Sequence, residues 1–312
     1  MELFMDWNLK IKKEWQGAIL VLIGAILFSA KAVVVKLTYQ YPLGALTSLF
    51  FRMLFAFPFL IWIAVSEEKK LGRAHLTKKE WFSVFFMGIV GYYLASLFDF
   101  LGLQYITAGL ERIILFVYPT LVVILSFLFL KKKIHAREIF ALLLTYTGVA
   151  IAYSQDLKVG AAKDVSLGAF FILLSALTYA IYLMGTGSLI PKLGAQRYTA
   201  LALAISSLAV FVHFGLFGKW EELNQPVSLY LLTFFMGTVN TVLPAIFVSE
   251  GIKRVGSKEA AIIGSVGPMS TLFLAYWFLG ETITFFHTLG TFFVLFGVFW
   301  ISSRKKEKVL ND

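Results

Sequence analysis

The chain contains long apolar runs, of which residues 17–37, GAILVLIGAILFSAKAVVVKL, are the first. A helix of about 20 apolar residues is long enough to cross the hydrocarbon core of a bilayer. Lys10, Lys12 and Lys13 precede this run, as basic residues do in a signal peptide. The run is too long for a signal peptide and has no clear small-residue exit site, so we expect it to be retained as a membrane-spanning helix.

The rest of the chain repeats this pattern. Its 312 residues are 59% hydrophobic and only 15% charged, which is more apolar and less charged than a soluble domain. Apolar runs lie at about 17–37, 45–65, 81–101, 109–130, 139–154, 167–190, 199–217, 230–250, 259–279 and 285–302. The sequence therefore predicts an all-α polytopic membrane protein with ten transmembrane helices.

The basic residues between the runs predict an orientation. With the N-terminus in the cytoplasm, 21 of the 28 Lys and Arg residues fall in the inner segments and 3 in the outer loops. Basic residues in short loops are retained on the cytoplasmic side. We expect a multi-pass protein of the plasma (inner) membrane with both termini in the cytoplasm.

Composition also bears on partners and cofactors. The net charge of +10 would suit nucleic acid, but it is confined to short clusters between the apolar runs, so we expect a lipid bilayer and no nucleic acid. With no cysteine and four scattered histidines, no metal site or cofactor is expected.

The two halves of the chain resemble each other. Residues 85–88, FFMG, recur as residues 234–237, and the same offset of 149 relates Pro119 to Pro268. We therefore predict a first repeat at 1–154, a linker at 155–166 and a second repeat with a cytoplasmic tail at 167–312. Five spans per repeat is an odd number, so the second repeat is expected to be inverted in the membrane. Inverted repeats are a frequent design of secondary transporters, although a duplication could also serve only to build a stable bundle.

These features resemble the drug/metabolite transporter superfamily, in its EamA-type branch. The similarity runs from Gly17 to Ser302 and includes FSAK at 28–31, Lys36, Arg52, Pro268, FLGE at 278–281, Gly290 and Gly297–Val298. The resemblance implies ten helices and a central cavity lined mainly by spans one, three, four, six, eight and nine. It also implies small metabolites as substrates. The first half has Lys131 and Lys132 where the second has Gly-Glu, and we assign this departure to orientation.

Polar residues inside the predicted cavity helices are candidates for substrate binding. Tyr92, Ser96 and Asp99 are spaced to share one helical face, and Lys31 lies about two-thirds across span one. Lys31 could bind a substrate anion or pair internally with Asp99, and Asp99 could also carry a coupling proton. The remaining candidates are Tyr118, Tyr179, Tyr182, Asn240 and Thr241.

Other charges lie nearer the ends of the predicted spans. Glu111-Arg112 opens span four at the outer face and Lys258-Glu259 opens span nine at the inner face. They are either opposite gates or first-turn charges that stabilise helices whose N-caps are Thr107 and Ser257. Lys36 is expected to anchor span one, Arg52 to satisfy an outer acid or helix-end carbonyls, and Glu281 to cap or anchor an outer turn.

The function predicted from these patterns is secondary transport by alternating access, with export of small polar metabolites and amino acids ahead of nucleosides, sugars or drugs. A membrane enzyme and a scaffold are the other classes considered. The chain has no HExxH, GxSxG or phosphate-binding-loop motif of the common enzyme types, and it has no large soluble segment. The coupling ion and the oligomeric state cannot be deduced from these patterns.

Overall fold

The computed structural model describes residues 2–72, 76–131, 134–159, 164–186 and 189–302. The regular structure of these residues is helical, with no strand among them. The first half contains α1 Glu2–Thr38, α2 Ala45–Leu71, α3 Lys78–Gly88, α4 Ala95–Leu103, α5 Ala108–Leu115, α6 Tyr118–Leu130 and α7 Ala136–Val159. The second half contains α8 Val165–Gly185, α9 Ile190–Leu193, α10 Ala195–Phe217, α11 Val227–Gly237, α12 Leu243–Val255, α13 Ser257–Gly264, α14 Gly267–Leu279 and α15 Phe285–Ser302.

Eight helical stretches of the described chain are long and apolar enough to cross a membrane, against ten predicted from the sequence. They are Glu14–Thr38, Ala45–Lys70, Lys78–Leu103, Ala108–Leu130, Val165–Gly185, Ala195–Phe217, Val227–Val255 and Ile262–Leu279. α15 adds the shorter apolar helix Phe285–Trp300. Large apolar side chains such as Trp62, Phe129 and Phe217 are exposed, as suits contact with lipid chains. The chain is a multi-pass membrane protein.

Irregular backbone features recur in both halves with the offset of 149. Each FFMG motif is followed at once by a π-helical turn, Ile89–Leu94 in one half and Thr238–Val242 in the other. The helix is broken at 116–117, between α5 and α6, and again at 265–266, between α13 and α14. Lys131 and Gly280 both end a helix in the left-handed conformation, with φ of 53° and 69°. The duplication therefore extends from the sequence to details of the backbone.

Helix α1 is packed against both halves of the chain. Ala32 and Val35 are completely buried in a core cluster that also includes Met53 of α2, Phe100 of α4 and Ala275 of α14. Further along, α1 runs beside α12, where a Cβ atom on Gly251 would lie 2.4 Å from Val21. Small residues of this kind allow membrane helices to approach closely. Ser29 and Lys31 of α1 consequently lie inside the bundle.

A substitution between α7 and α15 tests the close packing of the bundle. A Cβ atom on Gly148 would lie 2.5 Å from the carbonyl oxygen of Gly290, so Gly148→Ala must push the two helices apart. We expect the variant to lose about 1–3 kcal/mol of stability, measured as a lower melting temperature of the detergent-purified protein.

Gly215→Ala is the matched control, because a Cβ atom there would have no neighbour within 4 Å. In a helix, alanine is favoured over glycine, so this variant should melt at the same temperature as the wild type or slightly higher. Equal melting temperatures for both variants would contradict the α7–α15 contact.

Candidate functional site

A buried ion pair joins α1 to α4. The Lys31 Nζ atom lies 2.6 Å from the Asp99 Oδ2 atom, and the two side chains are 14% and 2% exposed. The internal pairing considered for Lys31 is thus present in the structure. A buried charge that loses its partner is strongly destabilising, so each residue holds the other in place.

Two further charges join this pair from α5. Glu111 is fully buried, and its Oε2 atom lies 3.8 Å from the Arg112 Nε atom. The carboxyl group of Glu111 faces that of Asp99 closely enough for the two to interact. Lys31, Asp99, Glu111 and Arg112 are called the ionic cluster below.

Arg112 ties this cluster to the second half. Its Nε atom donates a hydrogen bond to Thr271 Oγ1 of α14 (3.1 Å), and its Nη2 atom donates to the carbonyl oxygens of Phe28 (3.0 Å) and Ser29 (3.3 Å) in α1. Glu111 and Arg112 were expected at the outer face. Both side chains are buried, among α1, α4 and α14, and Glu111 lies in the first turn of α5.

Arg52 has different partners from those expected. It donates from Nε to Thr241 Oγ1 at 3.0 Å and from Nη1 to Ser96 Oγ at 3.2 Å. Its guanidinium carbon also lies 5.6 Å from the centre of the Phe100 ring, a cation–π distance. Its hydrogen bonds thus go to hydroxyl groups of α4 and of the second π-helical turn, rather than to the outer acid or helix-end carbonyls that were expected.

Four of the predicted tyrosines come together, with a fifth that the sequence reasoning missed. Ring centres are 4.8 Å apart for Tyr92–Tyr182, 5.8 Å for Tyr179–Tyr182, 5.1 Å for Tyr118–Tyr179 and 5.9 Å for Tyr182–Tyr198. The Tyr182 hydroxyl donates to the Tyr92 hydroxyl at 3.3 Å. Nothing in the spacing of Tyr198, one of 13 tyrosines, distinguishes it. These five residues are called the tyrosine cluster.

The predicted face of Tyr92, Ser96 and Asp99 is divided among three neighbours. Tyr92 contacts α8, Ser96 contacts Arg52 of α2, and Asp99 contacts α1. Tyr92 lies within the first π-helical turn, and a π turn holds more residues than an α turn. The regular α spacing behind the prediction therefore does not hold between Tyr92 and the other two.

Asn240 is fully buried in the second π-helical turn. Its Nδ2 atom donates to the carbonyl oxygen of Leu27 at 2.8 Å, while its Oδ1 atom has no hydrogen-bond partner. Thr241 accepts from Arg52 and donates to the carbonyl oxygen of Met236 at 2.9 Å. A neighbouring helix thus satisfies the amide of Asn240 and leaves its oxygen open to a donor.

A cavity of about 710 Å³ opens at the end of the bundle where α1 ends. We call it the vestibule; its polar lining residues are Lys36, Tyr39, Gln40, Gln104, Tyr105, Thr107, Asp156, Thr282, Glu281 and His287. Among the residues proposed from the sequence, only Lys36 and Glu281 line it. Leu103 and Gly109 also line it, and in sequence they stand four residues from Asp99 and three from Arg112. The ionic cluster therefore lies about one helical turn below the vestibule.

Lys36 and Glu281 hold helix ends at this vestibule. The Lys36 Nζ atom donates to the carbonyl oxygen of Ile106 at 2.7 Å. The two Glu281 carboxylate oxygens accept from the backbone N–H groups of Ala108 (2.8 Å) and Gly109 (3.2 Å). Glu281 thus caps α5 from the other half of the chain, which is a more specific role than the outer-turn anchor expected.

A second chain of hydrogen bonds reaches the same end of α5. Thr107 is the N-cap, as expected: its Oγ1 atom accepts from the Leu110 N–H at 3.1 Å and donates to Asp156 Oδ2 at 2.7 Å. The other Asp156 oxygen lies 2.6 Å from His287 Nε2. Sequence reasoning missed this pair, because its members lie 131 residues apart.

Lys258-Glu259, the other predicted gate, differs in structure from Glu111-Arg112. Helix α13 begins at Ser257 itself, after Gly256 with φ of 90°, so Ser257 is the first helical residue rather than its N-cap. Glu259 is exposed, and the Lys258 side chain lies outside the part of the chain that the structure describes. Glu111 is buried and Glu259 is exposed. By the offset of 149 the residue that matches Glu111 is Ala260, which is also buried. Among the described residues, no group of three His, Cys, Asp or Glu side chains could hold a metal ion.

Known proteins resemble this chain along its length. The model of the EamA-like transporter family matches residues 15–154 and again residues 166–303. The uncharacterized transporter YcbK of Bacillus subtilis (strain 168) is 30% identical over 311 residues, which cover 96% of this chain and 98% of the relative. The uncharacterized inner membrane transporter YicL of Salmonella typhimurium is 22% identical over 298 residues, covering 94% and 98%.

A solved structure described only as a crystal structure of a protein has the same fold. It superposes with a TM-score of 0.58 at 16% identity and covers 91% of this chain and 96% of the other.

The Glu281 cap generates a pH prediction. Burial raises the pKa of Glu281 above its ordinary value, against the opposing effect of the N–H groups of Ala108 and Gly109 and of the Lys36 charge. The folded state then binds the proton more tightly than the unfolded chain, so the stabilising contribution of Glu281 is present at low pH and lost as pH rises through the raised pKa. Melting curves from about pH 4 to about pH 8 should show the wild type losing stability relative to Glu281→Gln as pH rises. If the wild type instead gains stability relative to Glu281→Gln as pH rises, the hydrogen bonds of the ionised carboxylate outweigh the effect of burial.

Proposed function

The chain belongs to the EamA-like transporter family, and on this premise we propose that it is a secondary transporter of small polar metabolites that works by alternating access. It is a transporter rather than an enzyme. We propose export as the direction, in the plasma (inner) membrane, with both termini in the cytoplasm. The asymmetry of basic residues between the predicted loops supports this orientation.

We propose that the ten helices form two inverted repeats of five. The two matches to one family model and the π-helical turns and breaks at matching places support a duplication. Matching halves that differ in detail could exchange conformations, as in other inverted-repeat transporters.

The ion pair of Lys31 and Asp99 is the observation that carries the substrate assignment. The pair is buried, it lies about one turn below the vestibule, and charged groups inside a membrane bundle commonly mark a substrate or ion path. An amino acid has a carboxylate that could pair with Lys31 and an ammonium group that could pair with Asp99. A zwitterion could therefore replace both members of the pair at once, which supports amino acids as the favoured substrates.

We propose that the substrate path runs from the vestibule, past Lys31 and Asp99, to the tyrosine cluster. Lys31 and Asp99 lie toward the vestibule, whereas Tyr182 and Tyr198 lie where α8 ends and α10 begins. The rings of Tyr182 and Tyr198 are packed together and buried there, whereas the vestibule is a cavity. Tyrosine rings and hydroxyls could also bind the base of a nucleoside, so nucleosides are the second candidate substrates.

Ligand screening tests the function directly. We expect an amino acid to raise the melting temperature of the purified protein in a panel with nucleosides, sugars and phosphorylated metabolites. A ligand at a concentration of ten times its Kd raises the free energy of unfolding by about 1.4 kcal/mol. The same solute should exchange across liposomes that contain only this protein and not across empty liposomes. If only nucleosides raise the melting temperature, nucleosides rather than amino acids are the substrates. If no stabilising solute crosses the liposome membrane, the transport proposal is wrong.

A pair of variants separates binding by Lys31 from its structural role. Lys31→Met leaves Asp99 buried without its partner and should lower the free energy of unfolding by about 3–5 kcal/mol. The variant should also transport no amino acid. The double variant Lys31→Met/Asp99→Asn removes both charges and should recover most of the stability without recovering the flux. Recovery of flux in the double variant would show that the pair is only structural.

A further inference from the structure

The ionic cluster contains carboxylate oxygens that no donor reaches. Both oxygens of Glu111 and the Oδ1 atom of Asp99 are buried and lack a hydrogen-bond partner, whereas Asp99 Oδ2 is bound by Lys31. A carboxylate buried without donors is strongly disfavoured. We propose that Glu111 binds a proton and donates it in a hydrogen bond to Asp99 Oδ1, so that this acid pair is the coupling-proton site of the transporter.

The neighbours of Glu111 do not supply another solution. Lys31 of α1 already binds Asp99 Oδ2 at 2.6 Å, and Arg112 of α5 directs its donors to Thr271, Phe28 and Ser29. Arg112 Nε is 3.8 Å from Glu111, beyond hydrogen-bond range. Helices α6 and α8, which also pack in this region, contain no Asp, Glu, Lys, Arg or His. The charged groups on α7 and α15 that approach α5 are Asp156 and His287, which reach it through Thr107.

A single proton would satisfy both acids. The carboxylic acid of Glu111 would gain an O–H donor, and the free oxygen of Asp99 would gain the donor it lacks. The sequence singled out Asp99 as a proton carrier. The structure favours Glu111 as the residue that carries the proton, because Asp99 is held in its ionised form by Lys31.

Loss of the proton would change the position of α5. Two adjacent carboxylates repel each other and would compete for Lys31 and Arg112, so the ion pairing would have to rearrange. Helix α5 has only eight residues and is separated from α6 by the break at 116–117. It can therefore tilt without moving α6. This role rests on the proposed transport function, but the proton site itself does not.

Infrared difference spectroscopy across a pH titration tests the site without any transport assay. The purified wild type should show the carbonyl band of a protonated carboxylic acid in dry surroundings, and carboxyl-¹³C labelling of all glutamates should shift it. Glu111→Gln, which has the shape of the protonated acid, should remove the band. Glu281 is a second, largely buried glutamate with a raised pKa and adds a band of its own at low pH. Glu281→Gln alone should therefore keep the Glu111 band, and Glu111→Gln is also made in the Glu281→Gln background. A band that is absent from Glu281→Gln, that does not shift there on glutamate labelling, or that persists in the double variant Glu111→Gln/Glu281→Gln overturns the proposal.

The isotope shift is measured on Glu281→Gln, so it holds even where Glu111→Gln fails to fold. In liposomes, an imposed pH gradient should accelerate net flux by the wild type and not by Glu111→Gln. Equal acceleration of both proteins by the gradient would contradict coupling at Glu111. If the infrared band behaves as expected but the protein transports no solute, the proton site is supported and the proposed transport function is wrong.

Discussion

Charged side chains inside the bundle must find partners within the protein, because lipid chains offer none. The Lys31–Asp99 ion pair meets this constraint by joining α1 to α4. Arg112 meets it by bonding to α1 and α14, and Arg52 by bonding to α4 and the second π-helical turn. Three of these four charges thus fix the position of α1 relative to its neighbours. The helices around the proposed site are arranged by the needs of a few buried charges as much as by apolar packing.

Interruptions in the helices make these contacts available. The π-helical turns place Tyr92, Asn240 and Thr241 in the interior, and the break at 116–117 leaves α5 as a short separate helix. A short helix has N–H groups at its N-terminus that need acceptors, and Thr107 and Glu281 provide them. The end of α5 that carries Glu111 and Arg112 is therefore held by residues from both halves of the chain. A change in any of these contacts would therefore shift the positions of Glu111 and Arg112 in the ionic cluster.

The position of a polar residue along its helix could be predicted from the sequence, whereas the direction of its side chain could not. Counting residues along each span placed Lys31 and Asp99 at the same depth, and they do pair. Asn240, a candidate for substrate binding from the sequence, donates a hydrogen bond to the backbone of α1. The same counting placed Glu111 in the first turn of span four, where it is found, but its burial by three surrounding helices did not follow from the spacing. It also assigned Arg52 an acid or helix-end carbonyls, because position along one helix does not identify the neighbouring helix.

The sequence by itself determined that the chain is a helical membrane protein with a duplicated pattern, because the length of apolar runs and the offset between repeats are properties of a linear chain. It also determined which residues place polar groups inside the spans. Only the tertiary structure decided that Tyr198 joins the tyrosine cluster, that Asp156 meets His287, and that Glu281 caps a helix of the other half. These contacts join residues far apart in the chain, and they depend on how each helix is rotated about its axis. Packing against all neighbours at once sets that rotation, so no local spacing records it.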